Sequence, residues 1–247
     1  MAFQAVFQRY ELKYLLTLEQ KEKVLKGIKR YMTLDKYGRT TIRNLYYDTD
    51  TYLLIRRSIE KPVYKEKLRI RSYSRATADS TVFVELKKKH KHIVYKRRIS
   101  LLYNEATQWL SGDKHTSEHT QISEEVDYFL DYYGTLRPVV FLSYEREAYY
   151  SNDGSDFRVT FDDNILCRQD DLSLESDVYG ASILPEGQVL MEIKCSGGIP
   201  IWMTEILSRE KIYKTSFSKY GTAYRTLIFP QTHKMNLYNR LEVNTND

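Results

Sequence analysis

The feature that most constrains this chain is a charged face that recurs on one extended segment after another. The stretch "VFVELKKKHKHIVYKRRIS", Val82 to Ser100, shows it first. Side chains alternate faces along a strand, so Val82, Val84 and Leu86 share one face, and Phe83, Glu85 and Lys87 the other. After a turn near Lys89–Lys91, Ile93, Tyr95 and Ile99 fall together, opposite Val94, Lys96 and Arg98. The same parity groups Glu11 with Lys13 in "YELKY" and Arg69 with Arg71 in "KLRIRSY". It groups Tyr144 with Arg146, then Arg158 with Thr160 and Asp162, then Glu192 with Lys194. A sheet that is merely wet on one side carries mixed Ser, Thr, Gln and Lys there. This chain repeats Arg-x-Arg, Glu-x-Lys and Lys-x-Arg instead.

Eight runs rich in β-branched and aromatic residues read as strands: "RYELKYLL", "TTIRNLYYDT", "EKLRIRSYS", "STVFVELKK", "HIVYKRRIS", "VVFLSYEREAYY", "FRVTFDDNI" and "QVLMEIKC". Helices are the minority. Thr17 caps "LEQKEKVLKGIKRYM" with Gln20 at the capping-box position. Ser123 is the expected cap of "EEVDYFLDYY", with Gly134 as its stop. "PIWMTEILSREKIY" and "SKYGTAYRTL" read as a helical pair. The acidic, turn-rich "RQDDLSLESDVYGASILPEGQ" reads as an exposed excursion without chemistry, and "NRLEVNTND" as a polar tail over about 238–247. With no repeat and no Pro/Gly-rich linker, residues 1–247 are expected to form one domain.

The fold class expected is α+β: an antiparallel eight-stranded barrel with helices packed outside. Its apolar faces then meet the helices, and its charged faces line the lumen of a tunnel open at both ends. A lumen with about nine cations and a few carboxylates needs an anionic guest, because buried like charges are costly without counter-ions. The segment Arg56–Arg98 points the same way, with 15 Lys and Arg against 4 Asp and Glu. Glu11, Glu85 and Glu192 offer hard oxygen ligands for a divalent metal. No apolar stretch reaches membrane-spanning length and the N-terminus lacks a signal-peptide core, so the expected location is cytoplasmic. Cys167 and Cys195 give neither a disulfide framework nor zinc spacing. His115 and His119 lack the Glu placement of a metalloprotease helix, and His90 and His92 sit in a basic turn. Asp48 and Asp50 read as turn or cap residues. Nucleic acid is not the expected partner, since RNA-module signatures are missing and the cations sit with carboxylates.

The order of these motifs resembles the triphosphate tunnel metalloenzymes. Glu-x-Lys at Glu11–Lys13 comes first, followed by Arg69–Arg71, Glu85–Lys87, Lys96–Arg98, Arg146, Arg158 and Glu192–Lys194. The CYTH-type branch opens with Glu-x-Glu-x-Lys, whereas this chain has Arg9-Tyr10-Glu11-Leu12-Lys13. "KLRIRSYS", "FVELKKK", "YEREAY" and "SFSKYG" resemble the polyphosphate polymerase branch: the catalytic domain of the vacuolar transporter chaperone (VTC) complex and its soluble bacterial relatives. The resemblance runs from about Phe7 to Phe229. It implies phosphate binding by Lys13, Arg69, Arg71, Lys87, Lys96, Arg98, Tyr144, Arg146, Arg158, Lys194, Ser218 and Lys219. It implies catalytic roles for Lys13, Arg69, Arg71, Lys87, Arg146, Arg158 and Glu192, and Mn²⁺ or Mg²⁺ held chiefly by Glu192. Metal roles for Glu11 and Glu85 come from their charge alone. The implied activity is transfer of the γ-phosphoryl of ATP to inorganic polyphosphate. The alternatives are a triphosphatase of the same fold and a non-catalytic polyphosphate or inositol-phosphate binder. A membrane-protein partner is compatible with the VTC likeness.

Overall fold

The computed structural model describes residues 10–91, 93–116 and 119–231. Arg9, His92 and the expected tail over 238–247 lie outside the described residues. The elements in chain order are β1 (Tyr10–Thr17), α1 (Leu18–Ile28), β2 (Met32–Leu34), β3 (Thr40–Asp48), α2 (Leu53–Ile59), β4 (Tyr64–Ser72), β5 (Thr81–His90) and β6 (Ile93–Leu102). Then come α3 (Tyr103–Leu110), α4 (Gln121–Tyr133), β7 (Arg137–Ser151), β8 (Arg158–Arg168), β9 (Ala181–Ser182), β10 (Gln188–Cys195), α5 (Ile201–Arg209), β11 (Lys214–Thr215) and α6 (Lys219–Ala223). α6 runs into a π-helical turn, Tyr224–Ile228.

All strands belong to one antiparallel sheet of 11 strands, ordered β11-β1-β10-β8-β7-β3-β4-β5-β6, with β2 on β7 and β9 on β8. The eight strand-like runs of the sequence are the eight long strands of this path. β2, β9 and β11 are additions of two or three residues. The expected closed eight-stranded barrel is therefore corrected. Among the described residues no ladder joins β6 to β1, so the sheet is curled but open. Its curl still brings distant strands face to face: Lys87 on β5 reaches Glu11 on β1 at 3.0 Å.

The outer face is apolar, as the alternation requires. Leu68, Ile70, Val82, Val84 and Leu86 pack beneath α3 and α4 against Trp109, Val126 and Phe129. Tyr14, Leu16, Val159, Phe161, Met191 and Ile193 pack beneath α1 and α5 against Val24, Ile28, Met203 and Ile206. Each such side chain, fully buried, contributes about 1.5–3 kcal/mol. A third cluster lies on the inner face, where Ile42, Tyr46, Leu142, Tyr144 and Leu190 meet Ile55 of α2 and Tyr220 of α6. Tyr220 stacks on Tyr46 with ring centroids 4.8 Å apart and donates its hydroxyl proton to Asp48 at 2.9 Å. α6 thus covers one end of the lumen. Two expectations change here: not every helix packs outside, and the cavity is not open alike at both ends.

Local signals account for the helix starts. Thr17 and Gln20 form the expected capping box on α1. α4 begins three residues earlier than expected: Thr120 is its cap, and Ser123 reciprocates from the third helical position. Asp48 accepts backbone N–H groups of Thr49, Leu54 and Ile55, capping α2 as a buried carboxylate. Cys167 and Cys195 are buried free thiols. The acidic excursion is largely irregular and is pinned to β8 at Gly180, where a Cβ would lie 2.4 Å from the carbonyl oxygen of Cys167 at φ +142°.

Replacing Thr17 by Ala should cost about 1 kcal/mol, the usual loss of an N-cap. Gly180→Ala should cost more, at least ~2 kcal/mol, because both the backbone and the β8 contact must shift. Chemical denaturation of the two variants checks the order; a Gly180→Ala protein as stable as the wild type would contradict this packing.

Candidate functional site

The parity of seven strands, β1, β4, β5, β6, β7, β8 and β10, places the charged side chains on the inner face, and the ladders decide which ones meet. Across β4, β5 and β6 the register sets Arg69 opposite Glu85 and Glu85 opposite Arg98. The next row is Lys67, Lys87 and Lys96. Glu85, 1% exposed, is the hub of the first row. Arg69 donates to it from Nε and Nη2 at 2.9 and 2.7 Å, Arg98 from Nε at 2.7 Å, and Lys96 approaches to 2.8 Å. Arg71 stands at 3.9 Å and donates instead to Asn44 Oδ1 (2.9 Å) and Tyr144 Oη (3.1 Å). Burial alone would raise the Glu85 pKa, but these four cations outweigh it and hold the carboxyl well below the usual range.

A second hub lies deeper. Asp162 and Glu192 sit on β8 and β10, with 0% and 6% exposure. Lys219 of α6 reaches both, at 2.5 Å to Asp162 and 3.2 Å to Glu192. Arg146 binds Asp162 through two parallel bonds of 2.6 and 2.7 Å, the bidentate geometry that a guanidinium favours. Glu192 is also approached by Lys13 (3.4 Å), Lys194 (3.6 Å) and Arg146 (3.7 Å). Burial disfavours the Lys219 cation, yet Asp162 and Glu192 raise its pKa above the ordinary lysine value. The Tyr144 phenol, which burial would push up, is lowered by Arg146, Arg71 and Lys219 around it. Lys87 brings Glu11 down to about 2, burial opposing it.

Other groups lack such partners. Among the described residues no carboxylate pairs with Lys67, whose Nζ donates to Ser218 Oγ at 3.0 Å. Burial, then Lys13 and Lys87, push its pKa well below the ordinary lysine value. Arg158 lies 4.5 Å from the Tyr150 ring centroid; its Nε and the neighbouring Thr160 Oγ1 are buried without hydrogen-bond partners. Among the described residues at least eleven cations (Lys13, Lys67, Arg69, Arg71, Lys87, Lys96, Arg98, Arg146, Arg158, Lys194 and Lys219) share the inner face with the carboxylates Glu11, Glu85, Asp162 and Glu192.

The residues expected from the sequence are thereby brought onto one face, and Lys96 and Arg98 both reach Glu85. Lys67, Asp162, Tyr46 and Asn44 were not among those expected. Lys67 and Asp162 share parity with Arg69 and Arg158, so the alternation contained them. Tyr46, which accepts from Arg69 at 2.7 Å, and Asn44 lie on β3, which has no charge pair spaced two apart to mark it. Among the described residues no three His, Cys, Asp or Glu side chains converge on one point, so Glu11, Glu85 and Glu192 form no common cage. Glu85 is closed off by short contacts to cations and does not fit a metal. Glu192 fits better: its cation contacts are 3.2 Å or longer, and Asp162 lies beside it across Lys219. A hard cation arriving with phosphate oxygens needs only one or two protein carboxylates.

Among the described residues no helix is long and apolar enough to cross a membrane. Among solved structures, a protein described as a "putative adenylate cyclase" from Bacillus halodurans is similar, with a TM-score of 0.54 and 16% identity over 90% of this chain and 97% of that one. This likeness concerns the fold. A protein of the same description from Vibrio parahaemolyticus (TM-score 0.46, 11% identity over 89% of this chain and 98% of that one) and one from Pyrococcus horikoshii OT3 (0.44, 16% over 91% and 98%) carry no argument. No curated protein matches the sequence. The family described as the VTC domain matches residues 8–228. With that match spanning nearly the whole chain, the chain belongs to the VTC domain family.

Proposed function

We propose that this chain is a metal-dependent polyphosphate polymerase acting on ATP. A terminal oxygen of a polyphosphate chain attacks the γ-phosphorus, the bond from that phosphorus to the β,γ-bridging oxygen breaks, and ADP leaves. The observation that carries the reading is the excess of cations over carboxylates on the inner face among the described residues, with Arg158 Nε and Thr160 Oγ1 buried and unpartnered. Phosphoryl transfer asks a protein for alignment and charge cancellation more than for covalent chemistry. Arg69, Arg71, Arg146 and Arg158 supply forks for phosphate oxygens, and Lys13, Lys87, Lys96, Lys194 and Lys219 supply point charges. Arg98 joins Arg69 in being oriented by Glu85, while Tyr144 and Ser218 offer hydroxyls. Mn²⁺ or Mg²⁺ at Glu192 would add charge neutralisation across the phosphate oxygens.

One observation favours a second reading. α6 covers one end of the lumen through Tyr220, so an acceptor chain and ATP do not simply pass end to end. A triphosphatase, with water as acceptor, needs only one mouth. Incubation with ATP and Mn²⁺ separates the two, the polymerase giving ADP with long polyphosphate and the triphosphatase ADP with free phosphate. Consumption of no ATP with any divalent metal, despite tight triphosphate binding, would leave only a binding protein.

Glu192→Gln should lower turnover by two orders of magnitude or more while tripolyphosphate affinity holds or rises, since a carboxylate facing the anion is neutralised. Arg69→Ala should weaken both affinity and turnover. Calorimetry beside ATP consumption checks the split, and a Glu192→Gln protein of full activity would displace the metal from that residue.

Binding should also move protons. Burial, against the pull of Glu85, pushes the Lys96 pKa down to about 7. An anion beside it restores the charged form, so tripolyphosphate binding at pH 8 should take up protons, and Lys96→Met should reduce the uptake. Calorimetry in buffers of different ionisation enthalpy measures it; no uptake would contradict the placement of the guest beside Lys96. In the empty protein the same lysine makes stability rise with pH from about 7 toward its unfolded value of 10.5, because the unfolded chain holds the extra proton there.

A further inference from the structure

Cations on the outer side of the sheet find carboxylates: Lys21 meets Glu147, Arg39 meets Asp163, Arg75 meets Asp177 and Arg97 meets Glu125. Arg43 on β3 does not. It is half-buried, its Nε is buried without a hydrogen-bond partner, and among the described residues no carboxylate pairs with it. Its ladder partner on β7, Ser143, is 0% exposed, and the Ser143 hydroxyl is likewise buried without a partner.

Buried donors and acceptors are normally satisfied, so two orphans side by side in one row of the sheet call for an occupant. The neighbours that could serve them are engaged elsewhere. Glu145, two residues from Ser143 on the same face, accepts from Thr41 at 2.8 Å and faces Arg39 at 4.0 Å. Ser72, on the other side of Arg43, donates its hydroxyl proton to the Ser74 carbonyl. Burial pulls the Arg43 pKa below the ordinary arginine value; Glu145 and Asp177 oppose this, and the nearby Arg75 adds to it. A water molecule would satisfy the hydrogen bonds of Arg43 and Ser143 but not the charge. An anion satisfies both.

We propose that Arg43, Ser143 and Arg75 form a second oxyanion site, for a single phosphate-like group, on the outer face of the sheet. Arg43 supplies the fork, Ser143 a hydroxyl, and the exposed Arg75 a second charge at the rim. The site stands back to back with the lumen. Asn44 and Tyr144, the chain neighbours of Arg43 and Ser143, face inward, and both accept hydrogen bonds from Arg71. The sheet therefore separates the two sites, and an anion in the lumen does not occupy the outer one.

The test is calorimetry of inorganic phosphate binding to the full chain, with and without an equivalent of tripolyphosphate to fill the lumen. The filled protein should bind a further phosphate. Arg43→Met should weaken that phosphate about tenfold or more, the range for a hydrogen bond to a charged group, and Ser143→Ala should weaken it less. Tripolyphosphate affinity should stay within about twofold in both, since the lumen lies on the other face. In phosphate-free buffer neither variant should lose thermal stability, because each removes a buried group that lacks a partner. No phosphate beyond the lumen, or one that Arg43→Met leaves unchanged, would overturn the site. So would a marked fall in Tm of either phosphate-free variant, which would mean that Arg43 or Ser143 is already satisfied within the protein. If tripolyphosphate fails to bind while phosphate binds in an Arg43-dependent way, the lumen reading falls and the outer site stands.

Discussion

Lys219 between Asp162 and Glu192 is the contact on which the architecture turns. Among the described residues it is the one inner-face cation supplied by a helix, and it ties α6 to β8 and β10. Through Asp162 it is coupled to Arg146 on β7, so a single buried set joins three strands and the covering helix. Two carboxylates this buried are tolerable only because cations face them; removing one partner from such a set typically costs about 3–5 kcal/mol. The same contact is followed by Tyr220, which carries the apolar cover over the lumen's end. Structural closure and the chemistry of the site therefore share one residue.

Around that anchor, the inner face separates charges that are satisfied from charges that are not. Glu85 fixes Arg69 and Arg98 in place, and pairing of this kind pre-orients forks at little cost when an anion arrives. Lys67 has no carboxylate partner among the described residues, and Lys96 shares Glu85 with the arginines. Burial depresses both, so the empty lumen holds part of its cationic capacity in neutral form. A polyanion would recharge them. The lumen is in this sense incomplete alone, which is why its excess of cations over carboxylates carries more weight than the chain's net charge of +5.

Much of this was legible from period-2 alternation, because an apolar face and a charged face leave little choice of orientation once a segment is a strand. That logic found the eight long strands and the shared face of Arg69, Arg71, Lys87, Arg146 and Arg158. Three things escaped it. Closure of the sheet depends on edge pairing between β1 and β6, which no local pattern encodes. The inward placement of α6 depends on Tyr220 and Lys219 finding Asp48, Tyr46 and Asp162, contacts across more than fifty residues of chain. And a carboxylate's suitability for a metal depends on how tightly cations already hold it, which distinguishes Glu85 from Glu192 although both stand in the same Glu-x-Lys pattern.

The central claim is that the folded lumen is built to hold a linear polyphosphate anion. A guest that binds only the folded state at about a hundred times its dissociation constant stabilises it by about 2.7 kcal/mol. For a chain of this size that corresponds to a rise in Tm of about 5–10 °C. Thermal unfolding with and without millimolar tripolyphosphate measures this directly. The account predicts a rise of that order, diminished in Arg146→Lys, where the fork is lost but the charge remains. An unchanged Tm at millimolar tripolyphosphate, with and without Mn²⁺, would contradict it.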